Sequence, residues 1–252
     1  MTVARVSTRI AGGRQVALHG ATYRPWAIAV GFGAVALVGA LFAILDDDVA
    51  LRAMMGSLAV LFVVAAVVIV RLEETLAPRV IRFDQDAANL TFSAPAGSYA
   101  GYFLLAAAAL LPGVLALLVG VPHEVPVRGL PLLVVSVAGA VWIGQQLGAL
   151  RAPKGLALSE RGLRGVRNSA AVDLDWAALA GTEVVELRGA KLHLLLHSGG
   201  VVVVDPRWTG SDPNVVSSVV DFYAAHPEHR AALADPRAAL ALVEESARAA
   251  SD

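Results

Sequence analysis

The stretch YAGYFLLAAAALLPGVLALLVGV, residues 99–121, runs for 23 residues without a charged side chain. At ~1.5 Å of rise per residue a helix of this length reaches about 34 Å, enough to cross a ~30 Å hydrocarbon core with slight tilt. Lipid demands that every backbone N–H and C=O be satisfied within the segment, and a soluble core helix would need a polar face that this stretch lacks. It reads as a membrane span. Pro112 is expected to kink it, because proline removes one backbone bond and crowds the preceding turn.

Working outward, three more apolar runs flank this one. Trp26–Leu45 is too long for a signal peptide and is followed closely by another apolar run, so it reads as a first span. Tyr23 and Trp26 mark its start at the headgroup level, and Asp46, Asp47 and Asp48 mark its end. The second span is expected over residues 53–70, with Arg52 snorkelling outward beside the aspartates, and the fourth over residues 130–150. Composition agrees: 57% of the chain is hydrophobic and only 16% charged, against roughly 25% charged in a soluble domain. A net charge of −1 gives no basic field for nucleic acid, and the absence of cysteine excludes disulfides and thiolate chemistry.

Lys and Arg are unevenly placed. Arg5, Arg9, Arg14 and Arg24 lie in the N-terminal arm, Arg71, Arg79 and Arg82 in the loop before the third span, and Arg151, Lys154, Arg161, Arg164 and Arg167 after the fourth. Only Arg52 and Arg128 fall on the other side. The positive-inside rule then predicts a multi-pass protein of the cell membrane with both termini cytoplasmic. Small residues repeat at helical spacing in three spans: Ala29, Gly33, Ala36 and Ala40; Ala106, Ala109, Gly113, Ala116 and Gly120; Ser136, Ala140, Gly144 and Gly148. Such stripes let helices approach closely and could also pair copies of the chain. No ionisable residue falls near the centre of any span, which argues against an ion pathway, and Gln145 and Gln146 are expected to make an interfacial hydrogen bond.

Outside the spans, residues 80–92 read as a short β-hairpin with a turn over 85–89. Residues 151–226 show six strand patterns, at 156–159, 163–167, 171–175, 183–188, 191–198 and 201–205, followed by helix-start signals at Asp212-Pro213 and Asp235-Pro236. The first helix carries a stripe of Val215, Val219, Phe222 and Tyr223, and Pro227 stops it. The second has a thin face of Leu240, Val243 and Ala247, so it is expected to dock loosely as a tail over 227–252. The full organisation expected is an arm (1–25), a transmembrane hairpin (26–70), a cytoplasmic loop (71–98), a second transmembrane hairpin (99–150), a domain (151–226) and the tail.

The strand order, the segment DLDWAAL at residues 173–179, the hairpin LHLLLHSGGVVVVD at residues 192–205 and the amphipathic helix after it resemble the bacterial pleckstrin-homology-like (PH-like) domains of small multi-pass membrane proteins, notably in actinobacteria. The resemblance covers roughly residues 155–225. It implies a fold of four transmembrane helices plus a cytoplasmic α+β domain, an antiparallel sheet or roll closed by a helix, acting as a binding or scaffold module without enzymatic activity. The family has seven strands and this region shows six, so the 80–92 hairpin could supply the missing edge or be a relic of duplication.

Candidate chemistry is sparse. His193 and His197 share a strand face but lie ~13 Å apart at ~3.3 Å per residue, too far for one metal ion, and are expected to face solvent. His226 and His229 straddle Pro227 without a third ligand. No cofactor or metal is expected, and no HExxH, GxSxG or Walker-type loop occurs. The basic group Arg151, Lys154, Arg161, Arg164 and Arg167, against the single acid Glu160, is the candidate ligand site. Guanidinium groups near a bilayer suit anionic headgroups, with an acidic protein segment as the other candidate. The function expected is therefore a membrane-bound binding module for a protein partner or anionic lipid, the alternative being a transporter or channel subunit regulated by its soluble domain.

Overall fold

A computed structural model of the chain describes residues 3–8, 10, 16, 18, 25–73, 76–119, 126–150, 153–166, 171–186 and 189–249. They form two compact units.

The helical unit comprises Arg24–Glu73 and Ala96–Gly148. It holds α1 (Pro25–Leu45), α2 (Val49–Glu73), α3 (Ala96–Val119) and α4 (Pro126–Ala149). Among the described residues three helices have the length and apolar composition of a span, Trp26–Leu45, Val49–Arg71 and Ala96–Val119, and this makes the protein membrane-associated. The fourth span expected over residues 130–150 falls on α4, which is helical from Pro126 to Ala149 and includes the apolar stretch Leu133–Gly148.

The three aspartates between α1 and α2 do more than bar entry to lipid. Asp48 Oδ1 accepts the N–H groups of Ala50 (2.8 Å) and Leu51 (3.4 Å), capping α2. Arg52 folds back and donates from Nη2 (2.7 Å) and Nε (3.2 Å) to the Asp46 carbonyl. The two helices then meet at small residues, where a Cβ on Gly39 would stand 3.3 Å from the Met55 carbonyl oxygen. The face α1 uses is not quite the expected one: Ala36 is buried, whereas Gly33 has nothing within 4 Å of an added Cβ.

On α3 the stripe places Ala106, Ala109 and Ala116 in buried positions and Gly113 in a half-buried one, and Gly120 lies outside the described residues. Pro112 disturbs the backbone bonds of its own turn, and the N–H of Gly113 donates to Ser136 Oγ on α4 (2.7 Å), a hydroxyl re-satisfying a group in the proline turn. On α4 the stripe is only half right. Ser136 and Gly139 face α3, while Ala140 is exposed and Gly144 and Gly148 have open space around them. Gln146 is buried, 2% exposed, and its Nε2 has no hydrogen-bond partner among the described residues.

The second unit collects Met1–Tyr23, Glu74–Pro95 and Ala149–Asp252. A six-stranded antiparallel sheet runs in the order β1 (Val3–Ser7), β2 (Val80–Asp84), β3 (Leu90–Phe92), β4 (Leu156–Leu158), β5 (Gly162–Gly165), β6 (Val172–Asp175). A three-stranded meander follows, β7 (Leu179–Glu186), β8 (Ala190–Leu196) and β9 (Val201–Val204). All six strands expected after the helices are present, and the hairpin β2–β3 joins them, Leu90 lying opposite Leu158 and Phe92 opposite Leu156. The N-terminal arm contributes β1, which covers the β2 edge in register from Val3 opposite Asp84 to Ser7 opposite Val80. That pairing sets Arg5 against Arg82, and burial together with Arg5 lowers the Arg82 pKa.

Polar side chains sew these distant segments together. Asp212 caps α6 (Pro213–Ala225) by accepting the N–H of Asn214, and its other oxygen accepts the N–H of Arg79 (2.7 Å), which sits at φ 58°. Asn214 closes a two-way bond with the backbone of Val16, and Ser211 Oγ accepts the N–H of Arg82. Behind them, α6 packs Val215, Val216, Val219, Val220 and Tyr223 into the core against β7, β8 and β2. The last helix, α7 (Pro236–Ala249), is not loose. It buries Ala239, Leu240 and Val243, and the Ala239 carbonyl accepts the Tyr223 hydroxyl (2.9 Å), whose burial pushes its pKa up to about 12.

Candidate functional site

The basic group is built on the β4–β5 hairpin. Ser159 and Gly162 exchange backbone bonds (2.9 and 3.2 Å), so Glu160 and Arg161 form the tip of a two-residue turn and both are exposed. Trp176 pins the turn from below, its Nε1 donating to the Ser159 carbonyl (2.8 Å) and its N–H to that of Arg161 (3.3 Å). Lys154 is exposed just before β4, and Arg151 and Arg167 lie outside the described residues. Arg164 is already engaged: the register puts it opposite Asp173, and its Nε and Nη2 grip Oδ1 (2.9 Å) and Oδ2 (3.0 Å). That bond raises the pKa of Arg164 and lowers that of Asp173. An incoming phosphate would have to displace a carboxylate from the same fork, whereas Arg161 is exposed at the tip of the turn.

The histidines near Pro227 form an aromatic stack. The Phe222 ring lies 4.6 Å from His226 and 5.9 Å from His229, and the His226 Nδ1 is 2.9 Å from the Phe222 carbonyl oxygen. Among the described residues no group of three His, Cys, Asp or Glu could hold a metal ion. Arg230, which sequence reasoning passed over, closes α6: it donates to the carbonyls of Tyr223 (2.9 Å) and Ala224 (3.1 Å) and lies 4.9 Å over the Trp176 ring.

On the meander, His197 is exposed as expected, but His193 is half-buried and its Nε2 is shielded without a partner among the described residues. It stands in a cross-strand row with Glu183 and Val203. The face it shares includes Leu195, Val201 and Val203, of which Val201 (49%) and Val203 (40%) are exposed. Lys191 pairs with Asp205, and Asp205 also caps the short helix α5 (Pro206–Thr209). Between β7 and α6, the hydroxyls of Thr182 and Ser217 are 2.5 Å apart beside Asp221.

Burial raises the Asp221 pKa, against hydrogen bonds from Thr182 that lower it. A carboxyl that holds its proton more tightly folded than unfolded stabilises fully below its ordinary value and loses that contribution as pH rises through the shifted one. Asp221→Asn is therefore expected to raise the melting temperature of the full chain in detergent at pH 7 by about 2 °C, the size of a ~0.5 kcal/mol effect, and to leave it unchanged at pH 3. A gain at pH 3 equal to that at pH 7 would assign the effect to something other than the buried charge.

Comparison of the chain with protein-family models, with curated proteins and with solved structures gave no match.

Proposed function

We propose that this chain is a membrane-anchored binding module of a bacterial cell membrane: four spans, α4 being the fourth, hold a PH-like domain at the cytoplasmic face, where it binds a protein partner. The observation that carries the reading is β9. It is the outermost strand of its sheet among the described residues, and it exposes Val201 and Val203. An edge strand with exposed β-branched residues is a template for an extended peptide, whose backbone pairs with the edge while alternate side chains cover the valines. The PH-like reading is supported by the pairing of β3 with β4, which gives four consecutive strands β3–β6, then three in the meander, then a helix. The cytoplasmic placement rests on the Lys and Arg tally.

A photo-crosslinking amino acid at position 203 of the full chain, activated in intact cells, is expected to give one discrete adduct that disappears when Val201 is changed to Lys. The same probe at His197, beyond the strand, should give none. No adduct from position 203 would remove the edge-strand reading. It would return the basic turn to first place if binding to anionic vesicles then followed Arg161 and Lys154.

A further inference from the structure

Between α2 and α3 the helical unit carries a cavity of about 600 Å³, within the ~300–1,000 Å³ of ordinary ligand sites. Its walls are apolar, Val68 on one side and Gly101 and Ala107 on the other. A Cβ at Gly101 would already touch Val68 at 3.5 Å, so the missing side chain is what leaves the crevice open. Val67 (54%) and Leu104 (56%) are exposed at its rim. One wall residue is different in kind. Ser98, the third residue of the α3 span, lines the cavity while only 7% exposed, and its hydroxyl has no hydrogen-bond partner among the described residues. Arg71 also lines the cavity, but it is already engaged in an interaction of its own and is not the group that selects an occupant.

We infer that this cavity holds one acyl chain of an ester-linked glycerolipid, with the Ser98 hydroxyl donating to the ester carbonyl at the head of that chain. Two observations choose the occupant. The first is chemical: a hydroxyl shut away from water and left unbonded is costly, and a neutral acceptor on an otherwise apolar molecule satisfies it without bringing a charge into the crevice. The second is depth. Ser98 lies two residues inside the end of the apolar stretch Ala96–Val119, about 3 Å at ~1.5 Å per residue, which is the edge of the hydrocarbon core where the ester linkages of bilayer lipids stand. From there to Ala107 the α3 wall descends about 13 Å, most of the ~15 Å that one leaflet contributes to that core. An apolar helix from a second copy would suit the walls but would bring no acceptor to Ser98, because its backbone carbonyls are spent within the helix. The site is separate from the β9 edge and does not rest on the function proposed above.

The test uses the full chain, purified in a mild detergent and examined by native mass spectrometry with added dioleoylphosphatidylcholine or its ether-linked analogue, which keeps the headgroup and chains but has no ester carbonyl. One ester lipid should remain bound per chain, about fivefold more tightly than the ether lipid, the effect of one neutral hydrogen bond. Ser98→Ala should bring the ester lipid down to the level of the ether lipid and leave the ether lipid unchanged. Ala107→Trp, which fills the crevice away from the hydroxyl, should abolish retention of both, and an unchanged melting temperature in the absence of lipid will show that the variant is folded. Equal retention of the two lipids by the wild type, or an ester preference that survives Ser98→Ala, overturns the inference. So does a chain dimer that Ala107→Trp dissociates while lipid retention persists.

Discussion

Replacing Gly155 by alanine is expected to abolish the folded sheet unit, whereas the same change at Gly199 should cost only about 1 kcal/mol. Both glycines have positive φ, 77° and 81°, so both substitutions force an L-residue into a left-handed conformation at similar intrinsic cost. Their surroundings differ. An added Cβ at Gly155 would stand 2.0 Å from the carbonyl oxygen of Phe92, a backbone atom of β3, whereas at Gly199 nothing lies within 4 Å. Phe92 cannot retreat without breaking its register with Leu156, and both residues are fully buried.

The same corner is closed from the other side. The Gly155 carbonyl accepts the N–H of Val166 (2.6 Å) and would lie 2.2 Å from a Cβ on Gly165. Val166 itself is buried at φ 60°, an unusual conformation for a β-branched residue, held by that bond and by its packing. Opening the corner therefore separates β3 from β4 and removes the strand pairing that joins the N-terminal segments to β4, β5 and β6. A loss above ~4 kcal/mol is a large share of the ~5–15 kcal/mol that a domain has. Limited proteolysis of the detergent-solubilised full chain will report it as rapid cleavage between residues 153 and 249 in Gly155→Ala and near-native resistance in Gly199→Ala. Equal resistance of the two variants would mean that the corner is not closed as described.

Much of this architecture is legible in the sequence because the signals are local. Charge-free runs, the Asp-Pro helix starts and the glycine turns each declare themselves within a few residues, and α6 begins and ends where Asp212-Pro213 and Pro227 say it should. What escapes is set by partners far along the chain. β1 reads VARVS, with no buried face to announce it, and becomes a strand only because β2 offers an edge. The Arg164–Asp173 fork depends on the register of β5 against β6, which nothing in either segment specifies alone. His193, expected to face solvent, is half-buried between its neighbours on β7 and β9. α7 is likewise held by distant partners: it buries Leu240 and Val243 of its thin stripe, and the Tyr223 hydroxyl donates to the Ala239 carbonyl.

In α4 the same limit decides which small residue matters, and a pair of substitutions exposes it. Spacings of three and four are both permitted on one helix face, so Ser136 can be continued by Gly139 or by Ala140 and Gly144. The facing helix chooses. A Cβ at Gly139 would meet the Ala109 side chain at 2.9 Å and the Ala106 carbonyl at 3.1 Å, with the Ala109 backbone as close, while Gly144 has open space. Gly139→Leu is therefore expected to drive α3 and α4 apart by overpacking against backbone, typically ~1–3 kcal/mol. It should also break the bond from the Gly113 N–H to Ser136 Oγ, leaving a donor of the proline turn unsatisfied in an apolar setting. Gly144→Leu adds the same volume to the same helix at no such contact, and its effect should be small. Thermal unfolding of the full chain in detergent will separate the two, with a clear fall in melting temperature for Gly139→Leu only, and a matched fall for Gly144→Leu would place the helix contact on the other stripe.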